Sequence, residues 1–478
     1  MAKVPKNLII LCSDEMRGDC LGIMGNPDVK TPNLDAFANE AVLFDKHFTC
    51  HGKCVPSRAA LMTGRYSHTD GFRNIFYDIP ESMPNVLGRL KELGYESAVF
   101  GKNHCWEKML DGYVDYNSWK GAYGEYYNRK KAAMDALQST MSGLQMEDGF
   151  EYRGMSDPFP DEIYTDQAID FLTQQRDGTR PFFLQVNIEA PHPKYGVSQP
   201  YYSMYDREKI TPFPYILPHN APLPLLKQRE VRTGWEHRED LYREIQATYY
   251  GMISKVDHHI GRLIEAIKNQ GLFEDSVILF WVDHGDFAGQ YGLVEKWDTC
   301  MNDCLMHVPN ILYAPNIPKG VRVEGLTSHV DLAPTLFEIM GIDPIPGIHG
   351  RSLLPIINGS ERGRRAVFGD GGHEEEMIQR FNGNVVNRLG KRDGKQETYM
   401  KYPDTMARTK MARTDKYKLV MRLKGGNELY DMEKDPYEMN NLWGDIRYND
   451  AIMELMQLMV EWCLETDTDR PFQPSVGA

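Results

Sequence analysis

The chain lacks long apolar runs, and this shortage excludes several classes of protein. No stretch of its 478 residues reaches the ~18 apolar residues that a membrane-spanning helix needs. The beginning of the chain shows no secretory signal, because the apolar run of residues 8–12 is too short and no small-residue cleavage site follows it. With Met1 as the natural start, we expect a cytoplasmic protein without a membrane partner.

An excess of positive charge is also missing. The chain has 54 Lys and Arg against 68 Asp and Glu, so its formal net charge is −14. An acidic surface repels phosphate backbones, which argues against a nucleic-acid partner. If the protein acts on an anionic ester, it has to supply positive charge locally, from lysine, arginine and a metal ion.

Cysteines are too few for a disulfide-dense framework, since there are only eight in the whole chain. We interpret them as scattered free thiols, although an even number keeps bridges open. Cys300 and Cys304 have the i, i+4 spacing of a helix and could form a metal pair or a redox pair. No second Cys/His pair completes a zinc site at the usual spacing, so we interpret both as structural.

Four apolar segments predict strands, and each is followed by polar, titratable residues. Residues 7–12, 96–100, 181–188 and 276–282 are the strands. The polar clusters that follow them are Ser13-Asp14-Glu15, Gly101-Lys102-Asn103-His104, Glu189-Ala190-Pro191-His192 and Asp283-His284-Gly285. Helical patterns, including a long one over residues 244–270, separate the strands. This alternation predicts an α/β fold with a mostly parallel sheet between helices, which binds ligands at the carboxyl ends of its strands.

A second, smaller domain is predicted after the charged segment 361–365. We place a catalytic domain at residues 1–365 and an α+β subdomain at 366–478. The subdomain has antiparallel strand patterns around Gly425-Gly426 and a terminal amphipathic helix over residues 451–464. Residues 388–424 hold twelve Lys and Arg against four Asp and Glu. This basic segment is either a solvated surface or a subsite for a polyanion.

The strongest motif is Cys54-Val55-Pro56-Ser57-Arg58, which continues to Thr63-Gly64-Arg65. It resembles the signature of the type I, formylglycine-dependent sulfatases in the alkaline phosphatase-like superfamily. The resemblance implies that a maturation enzyme oxidises Cys54 to formylglycine, an aldehyde that hydrates to a gem-diol. One hydroxyl attacks sulfur and the other expels sulfate by carbon–oxygen cleavage, a step that a plain Ser or Cys ester would not allow.

The same resemblance implies a metal site. It carries Asp14, Asp283, His284 and the modified Cys54 over as ligands, whereas Glu15 is either a ligand or a neighbour of the ligands. Hard oxygen donors suit Ca²⁺, Mg²⁺ or Mn²⁺, and we favour Ca²⁺. The histidine ligand keeps Mn²⁺ and Zn²⁺ open.

Catalytic roles also follow from the resemblance. Asp283 assists deprotonation of the attacking hydroxyl, His192 protonates the leaving alcohol, and His104 helps to break the sulfated hemiacetal. Lys102 and Arg58 hold the gem-diol, and Lys296 holds the sulfuryl group. The residues expected to contact substrate are Lys102, His192, Lys296 and, from a loop of the smaller domain, His373.

The predicted function is therefore the hydrolysis of a sulfate monoester. A carbohydrate sulfate is our preferred substrate class, on the breadth of the family alone. Two alternatives stay open. One is a phosphonate monoester or phosphodiester hydrolase of the same superfamily, and the other is a non-catalytic binder of sulfated ligands in which Cys54 is never converted.

Overall fold

Eight strands form the central sheet of the protein. The computed structural model describes residues 4–75, 77–106, 110–138, 152–231, 238–375, 377 and 394–467. The strands in this part of the chain are β1 (Asn7–Asp14), β2 (Val42–Phe48), β3 (Glu96–Gly101), β4 (Tyr116–Asn117), β5 (Tyr152–Gly154), β6 (Phe182–Pro191), β7 (Tyr195–Gly196), β8 (Ser276–Val282), β9 (Asn310–Tyr313), β10 (Val321–Ser328), β11 (Val367–Gly371), β12 (Thr409–Arg413), β13 (Tyr417–Arg422) and β14 (Glu428–Asp431). The sheet has the order β10-β2-β9-β8-β1-β6-β3-β4.

The direction of the strands confirms the predicted α/β class. The neighbours of β1, which are β6 and β8, run parallel to it, as does β3 to β6. Within the described strands of this central sheet, only β9 is antiparallel to its neighbours, β8 and β2. The sheet is therefore mostly parallel, and a single reversed strand makes it mixed.

Helices cover both faces of this sheet. Along β1, Ile9 and Leu11 belong to one hydrophobic core, and Leu8, Ile10 and Cys12 belong to a second one on the other side. All eight residues of β1 are buried, as expected for a strand covered on both faces. The helices described are α1 (Pro32–Asn39), α2 (Cys54–Thr63), α3 (Ser67–Asp70), α4 (Val86–Glu92), α5 (Leu110–Tyr113), α6 (Gly121–Gln138), α7 (Asp161–Asp170), α8 (Leu223–Val231), α9 (Glu239–Asn269), α10 (Asp303–Met306), α11 (Leu332–Met340), α12 (Leu354–Ile357), α13 (Gly394–Lys401) and α14 (Asn449–Glu465).

The short apolar run of residues 310–314 predicts β9, whereas β2 and β10, besides the two-residue β4, have no counterpart in the sequence prediction. Both carry charged residues, such as Asp45 in β2 and Glu324 in β10, that interrupt an apolar run. Their place explains this pattern, since β10 is an edge strand and β2 is next to it, where alternate side chains reach solvent. The prediction required continuous apolar runs and therefore found only the most buried strands.

The second sheet is antiparallel and small, with the order β11-β12-β13-β14. On one side, Met411 and Val420 pack into a core that includes Phe48 and Trp297 of the large domain. On the other side, Leu419 packs with the terminal helix α14. The antiparallel sheet and terminal helix predicted for the smaller domain are confirmed, and the boundary at residue 365 stays a prediction.

The basic segment is partly exposed and partly buried where the structure describes it, since Lys401, Arg408, Lys416 and Lys424 are exposed whereas Arg413 and Lys418 are buried. Residues 388–393 lie outside the described residues. Beyond them, Lys418 is buried and donates to Asp303 at 2.8 Å and to Glu438. Arg413 also reaches Asp303, at 3.3 Å. Burial alone would raise the pKa of the Asp303 carboxyl, but the Lys418 ammonium and then the Arg413 guanidinium hold it well below its usual range. The buried cations Lys418 and Arg413 therefore join the smaller sheet to Asp303 of the large domain, and Lys418 also pairs with Glu438 of the smaller domain.

Replacing Lys418 with methionine is expected to lower the free energy of unfolding by about 3–5 kcal/mol, because two buried carboxylates lose their cation. Urea unfolding followed by tryptophan fluorescence measures this change. The matched control is Lys434→Met, since Lys434 is 76% exposed and pairs with Asp431 at 3.4 Å, and we expect it to change stability by less than about 0.5 kcal/mol. Equal stability of the two variants would show that the Lys418 cluster does not hold the domains together.

All eight cysteines are free thiols, as predicted. Cys300 and Cys304 are buried, and burial raises the pKa of both. Neither belongs to a cluster of metal-binding side chains among the described residues, so the structural interpretation agrees with their surroundings. In the described part of the chain, no helix combines the length and apolar character needed to cross a bilayer.

Candidate active site

The four polar clusters that follow the strands meet at one edge of the central sheet. β8, β1, β6 and β3 are consecutive parallel neighbours, so their carboxyl ends lie side by side. The clusters comprise residues 13–15, 101–104, 189–192 and 283–285. Residues that are far apart in the sequence are thereby brought into one site.

Cys54 is the first residue of helix α2, and this helix presents it to the sheet edge. Pro56 lies in the first turn of this helix, where proline is tolerated. Cys54 and Arg58 are one turn apart and therefore share a helix face. Both are almost completely buried. The side-chain nitrogens of Arg58 reach Asp283 Oδ2 at 2.8 Å and Asp14 Oδ2 at 3.2 Å.

Four side chains at this edge converge on one point. Ligand atoms of Asp14, Cys54, Asp283 and His284 all lie within 4.8 Å of one another. His284 Nε2 is 3.3 Å from Cys54 Sγ and 3.6 Å from Asp14 Oδ1. His284 Nδ1 is 2.9 Å from the backbone oxygen of Gly285, a contact that keeps Nε2 available as an acceptor. Two carboxylates, an imidazole and a sulfur position at these separations fit a divalent cation.

Glu15 is not part of this group of four. Its Oε2 is 2.5 Å from Lys296 Nζ and 3.3 Å from His192 Nε2. Asp14, Glu15 and His192 form a second group of converging donors, but the Lys296 ammonium contacts both Glu15 and His192. A lysine therefore supplies the positive charge on this side of the site, and the cluster of four supplies the place for a metal.

Lysines and histidines line the remaining side of the site. Lys102 Nζ lies 3.0 Å from Asp14 Oδ2, and the backbone oxygen of Lys102 accepts a hydrogen bond from Arg58 Nη1 at 2.5 Å. His192 Nε2 lies 2.8 Å from Lys296 Nζ. His104 is half-buried on the same loop as Lys102 and has a left-handed backbone, with φ 50°. All predicted residues except His373 therefore belong to one constellation.

The charges of the site perturb its titratable groups in consistent directions. Burial and the Asp14 carboxylate raise the pKa of the Cys54 thiol, but Lys296, His284 and Lys102 outweigh them and hold it well below its usual value. Burial and the Lys296 ammonium lower the pKa of His192. The site therefore favours negative charge at position 54 and neutral imidazole at position 192 before an anion enters.

His373 lies beside this constellation, at the border of the smaller domain. Its Nε2 is 3.1 Å from Asp298 Oδ2, and Lys53 Nζ is 2.5 Å from the same oxygen. The His373 side chain is only 3% exposed. His373 therefore contacts Asp298, which lies two residues after Lys296 in the chain. A contact between His373 and substrate stays a prediction.

The turn of residues 189–192, which presents His192, is held by residues that the sequence did not indicate. We call it the His192 turn. The carboxylate of Asp161, at the start of α7, accepts hydrogen bonds from the backbone of Glu189 at 2.8 Å and of Ala190 at 3.0 Å. Ser13 Oγ donates to the Ala190 backbone oxygen at 2.7 Å. Asp161 resembles any acidic residue in the first turn of a helix, so no local signal marked it.

Comparison with known proteins agrees with this geometry. A family model described as Sulfatase matches residues 6–342, and a second, described as N-sulphoglucosamine sulphohydrolase, C-terminal, matches residues 373–464. The chain belongs to the sulfatase family. It is thus a sulfuric ester hydrolase, and the family implies a divalent metal and a modified cysteine, for which the cluster of four and Cys54 offer the places.

Sulfatase relatives match nearly the whole chain. An arylsulfatase of Clostridium perfringens is 24% identical over 95% of this chain and 94% of its own length. An N-acetylglucosamine-6-O-sulfatase of Bacteroides thetaiotaomicron is 24% identical over 95% of this chain and 86% of its own length. A phosphonate monoester hydrolase of Agrobacterium radiobacter shares the fold, with a TM-score of 0.76, 23% identity and coverage of 97% and 96% of the two chains. The alkaline phosphatase-like fold of this sulfatase is confirmed.

Proposed function

We propose that this sulfatase hydrolyses a carbohydrate sulfate monoester, with Cys54 as the precursor of its nucleophile. The observation that carries the proposal is the position of Cys54 between two different halves of the site. On one side stand the metal-binding donors Asp14, Asp283 and His284, and on the other stand Lys102, Lys296 and His192. An anionic ester placed over Cys54 would meet a cation on each side.

Two groups implied by the family would be held here. Asp14, Asp283, His284 and position 54 would hold the metal, which supplies Lewis-acid stabilisation of the sulfuryl oxygens. We propose Ca²⁺, because two of the three unmodified donors are carboxylates. Formylglycine at position 54 supplies a hydrated aldehyde whose second hydroxyl allows sulfate to leave by carbon–oxygen cleavage.

The side chains of the protein perform the positioning and proton transfer. Arg58 fixes Asp283 through a charge-assisted hydrogen bond and forms an ion pair with Asp14, and Lys102 also neutralises the buried Asp14 carboxylate. An Asp283 carboxylate oxygen lies within 4.8 Å of Cys54 Sγ, and we propose that it accepts a proton from a hydroxyl at that position, directly or through one water. His104, on the loop of Lys102, is proposed to take a proton during the release of sulfate.

Lys296 and His192 act on the sulfuryl group and the leaving oxygen. The Lys296 ammonium donates to His192 Nε2 in the structure, so a proton already lies on this pair. A sulfate ester beside both groups adds negative charge, so that His192 takes up a proton from solvent while the Lys296 ammonium keeps its own. His192 can then protonate the leaving alcohol while Lys296 holds the sulfuryl oxygens.

A carbohydrate is the substrate class that the relatives support. The N-acetylglucosamine-6-O-sulfatase aligns with 95% of this chain. The phosphonate monoester hydrolase has the same fold, which keeps that activity as the second candidate. A cytoplasmic location, a maturation enzyme as partner and the absence of a nucleic-acid partner stay predictions of the sequence.

Metal reconstitution tests the proposed Ca²⁺. We expect chelator-treated protein to recover its activity best with Ca²⁺, and less with Mg²⁺ or Mn²⁺.

Relative rates on two model esters test the function. With the metal restored, kcat/KM for p-nitrophenyl sulfate should exceed that for p-nitrophenyl phenylphosphonate by at least about tenfold, which corresponds to 1.4 kcal/mol in the barrier. A preference for the phosphonate would support the second candidate, and binding of sulfate esters without turnover would support the non-catalytic alternative.

A further inference from the structure

The exposed side chains of the strand-end clusters define the mouth of the site. Among residues 13–15, 101–104, 189–192 and 283–285, only four are half-buried, and all the others are buried. The four are Lys102, His104, Glu189 and His192. Three of them are the cationic or basic groups expected around an anionic ester. Glu189 is the exception, and the proposed mechanism gives it no role.

Glu189 is held firmly at this mouth. Its backbone N–H donates to Asp161, and its backbone oxygen accepts from the backbone of His192 at 3.0 Å. Its side chain is fixed as well, because the buried Tyr164 hydroxyl donates to Oε1 at 3.2 Å. One carboxylate oxygen is therefore tied to α7, and the same turn that presents His192 presents Glu189.

Glu189 faces the cations that are expected to receive the substrate. Burial raises the pKa of its carboxyl, whereas Lys102 and, to a smaller degree, His104 lower it. The register of the sheet explains this proximity, since Gly101 pairs with Asn187 and the two loops leave β3 and β6 together. Lys102 is already paired with Asp14, so Glu189 is not needed to neutralise it.

A carboxylate in this position is unfavourable for a site that has to attract an anion. It becomes favourable when the substrate brings a hydrogen-bond donor, because an ionised carboxylate is an acceptor only and binds donors strongly. The leaving group of a carbohydrate sulfate carries such donors, the hydroxyls next to the ester. The simple aryl sulfates carry none.

We propose that Glu189 selects the substrate by accepting a hydrogen bond from a sugar hydroxyl next to the sulfate ester. This proposal rests on the carbohydrate class proposed above. It makes Glu189 a specificity-determining residue that contacts the leaving group, on the side of the mouth formed by Lys102, His104 and Tyr164. The sulfuryl group is left to Lys102, Lys296 and the metal site.

The test compares Glu189→Ala and Glu189→Gln with the unaltered enzyme on two kinds of substrate. The probes are p-nitrophenyl sulfate and a panel of monosaccharide sulfates, with the 3-, 4- and 6-sulfates of glucosamine and N-acetylglucosamine and the 2-, 3-, 4- and 6-sulfates of galactose. For the sugar sulfate that is hydrolysed fastest, we expect kcat/KM of the alanine variant to fall by about 10- to 100-fold. For p-nitrophenyl sulfate, we expect a rise of about two- to fivefold, because a repelling charge is removed. The glutamine variant keeps an acceptor oxygen and should lose less on the sugar.

Glu162→Ala is the matched control for charge. Glu162 lies on the same helix as Tyr164, is 56% exposed and pairs with Arg262. This variant should therefore leave kcat/KM unchanged for both substrates. A parallel loss on both substrates with Glu189→Ala would overturn the proposal and assign Glu189 to the positioning of His192. If the unaltered enzyme hydrolyses p-nitrophenyl sulfate but none of the sugar sulfates, the carbohydrate class fails and the role of Glu189 fails with it. If it hydrolyses neither, the sulfatase activity itself is in question.

Discussion

Replacing Cys54 with alanine is expected to lower kcat for p-nitrophenyl sulfate by about four orders of magnitude or more, as in other enzymes that lose their nucleophile. The variant keeps Lys102, Lys296, His192 and the metal-binding carboxylates, so it should still bind the ester. It lacks only the group that can take up the sulfuryl moiety and release it again. We therefore expect kcat to collapse while binding of the substrate, measured by calorimetry, changes little.

The control for this prediction is Cys300→Ala, which removes another buried thiol that is outside the site and should leave kcat almost unchanged. Mass spectrometry of the peptide that contains position 54 supplies an independent readout. In protein from its native host, this peptide should be lighter by about 18 Da, whereas the ordinary oxidation of cysteine to oxyacids adds mass. A Cys54→Ala variant with undiminished turnover, or an active enzyme with an unmodified peptide, would contradict the assignment of the nucleophile.

Replacing His192 with alanine is expected to affect substrates according to their leaving groups. Protonation of the leaving oxygen matters most for an alkyl or sugar alcohol, where we expect a loss of about 10²- to 10⁴-fold in kcat/KM. p-Nitrophenolate leaves without a proton, so the loss on p-nitrophenyl sulfate should be under about tenfold. The effect is measured with a series of aryl sulfates whose leaving groups have increasing pKa. The rate of the His192→Ala variant should fall more steeply with leaving-group pKa than the rate of the unaltered enzyme.

His258→Ala is the control for the histidine variant, because His258 is an exposed residue of α9 and should give the unaltered slope. An equal loss at every leaving-group pKa would show that His192 supports the site without donating a proton. The neighbouring Lys296, which shares a hydrogen bond with His192, would then be the better candidate for the acid.

The sequence could predict the core of this site because parallel strands bring their carboxyl ends together. Asp14, Lys102, His192 and Asp283 each lie within four residues of the end of an apolar run, so their proximity follows from the fold class alone. The predicted Ser276–Val282 strand has the observed bounds, and its cluster begins at the next residue. The position of Cys54 relative to these residues came from the family resemblance, since a helix start carries no information about its neighbours.

Other features depend on contacts that no local pattern records. Asp161 clamps the His192 turn from 28 residues upstream in the chain, at the first residue of an ordinary helix. The pairing of Glu15 with Lys296 decides that Glu15 lies outside the four-donor cluster, and the two residues are 281 positions apart. The burial of Lys418 and Arg413 within the basic segment could not be predicted, because their acidic partner Asp303 is also distant in the sequence.

The packing of Cys50, four residues before Cys54, against the smaller domain has a consequence for biosynthesis. The backbone of Asp370, in β11, donates to the backbone oxygen of Cys50, and Cys54 itself is 2% exposed. Docking of β11 therefore closes the segment that a maturation enzyme has to read. About 316 residues separate Cys54 from Asp370, which a ribosome adds in roughly 15–60 s at ~5–20 residues per second. On the proposal that a maturation enzyme converts Cys54, the speed of translation, together with the affinity of that enzyme, sets the fraction of chains that acquire a nucleophile.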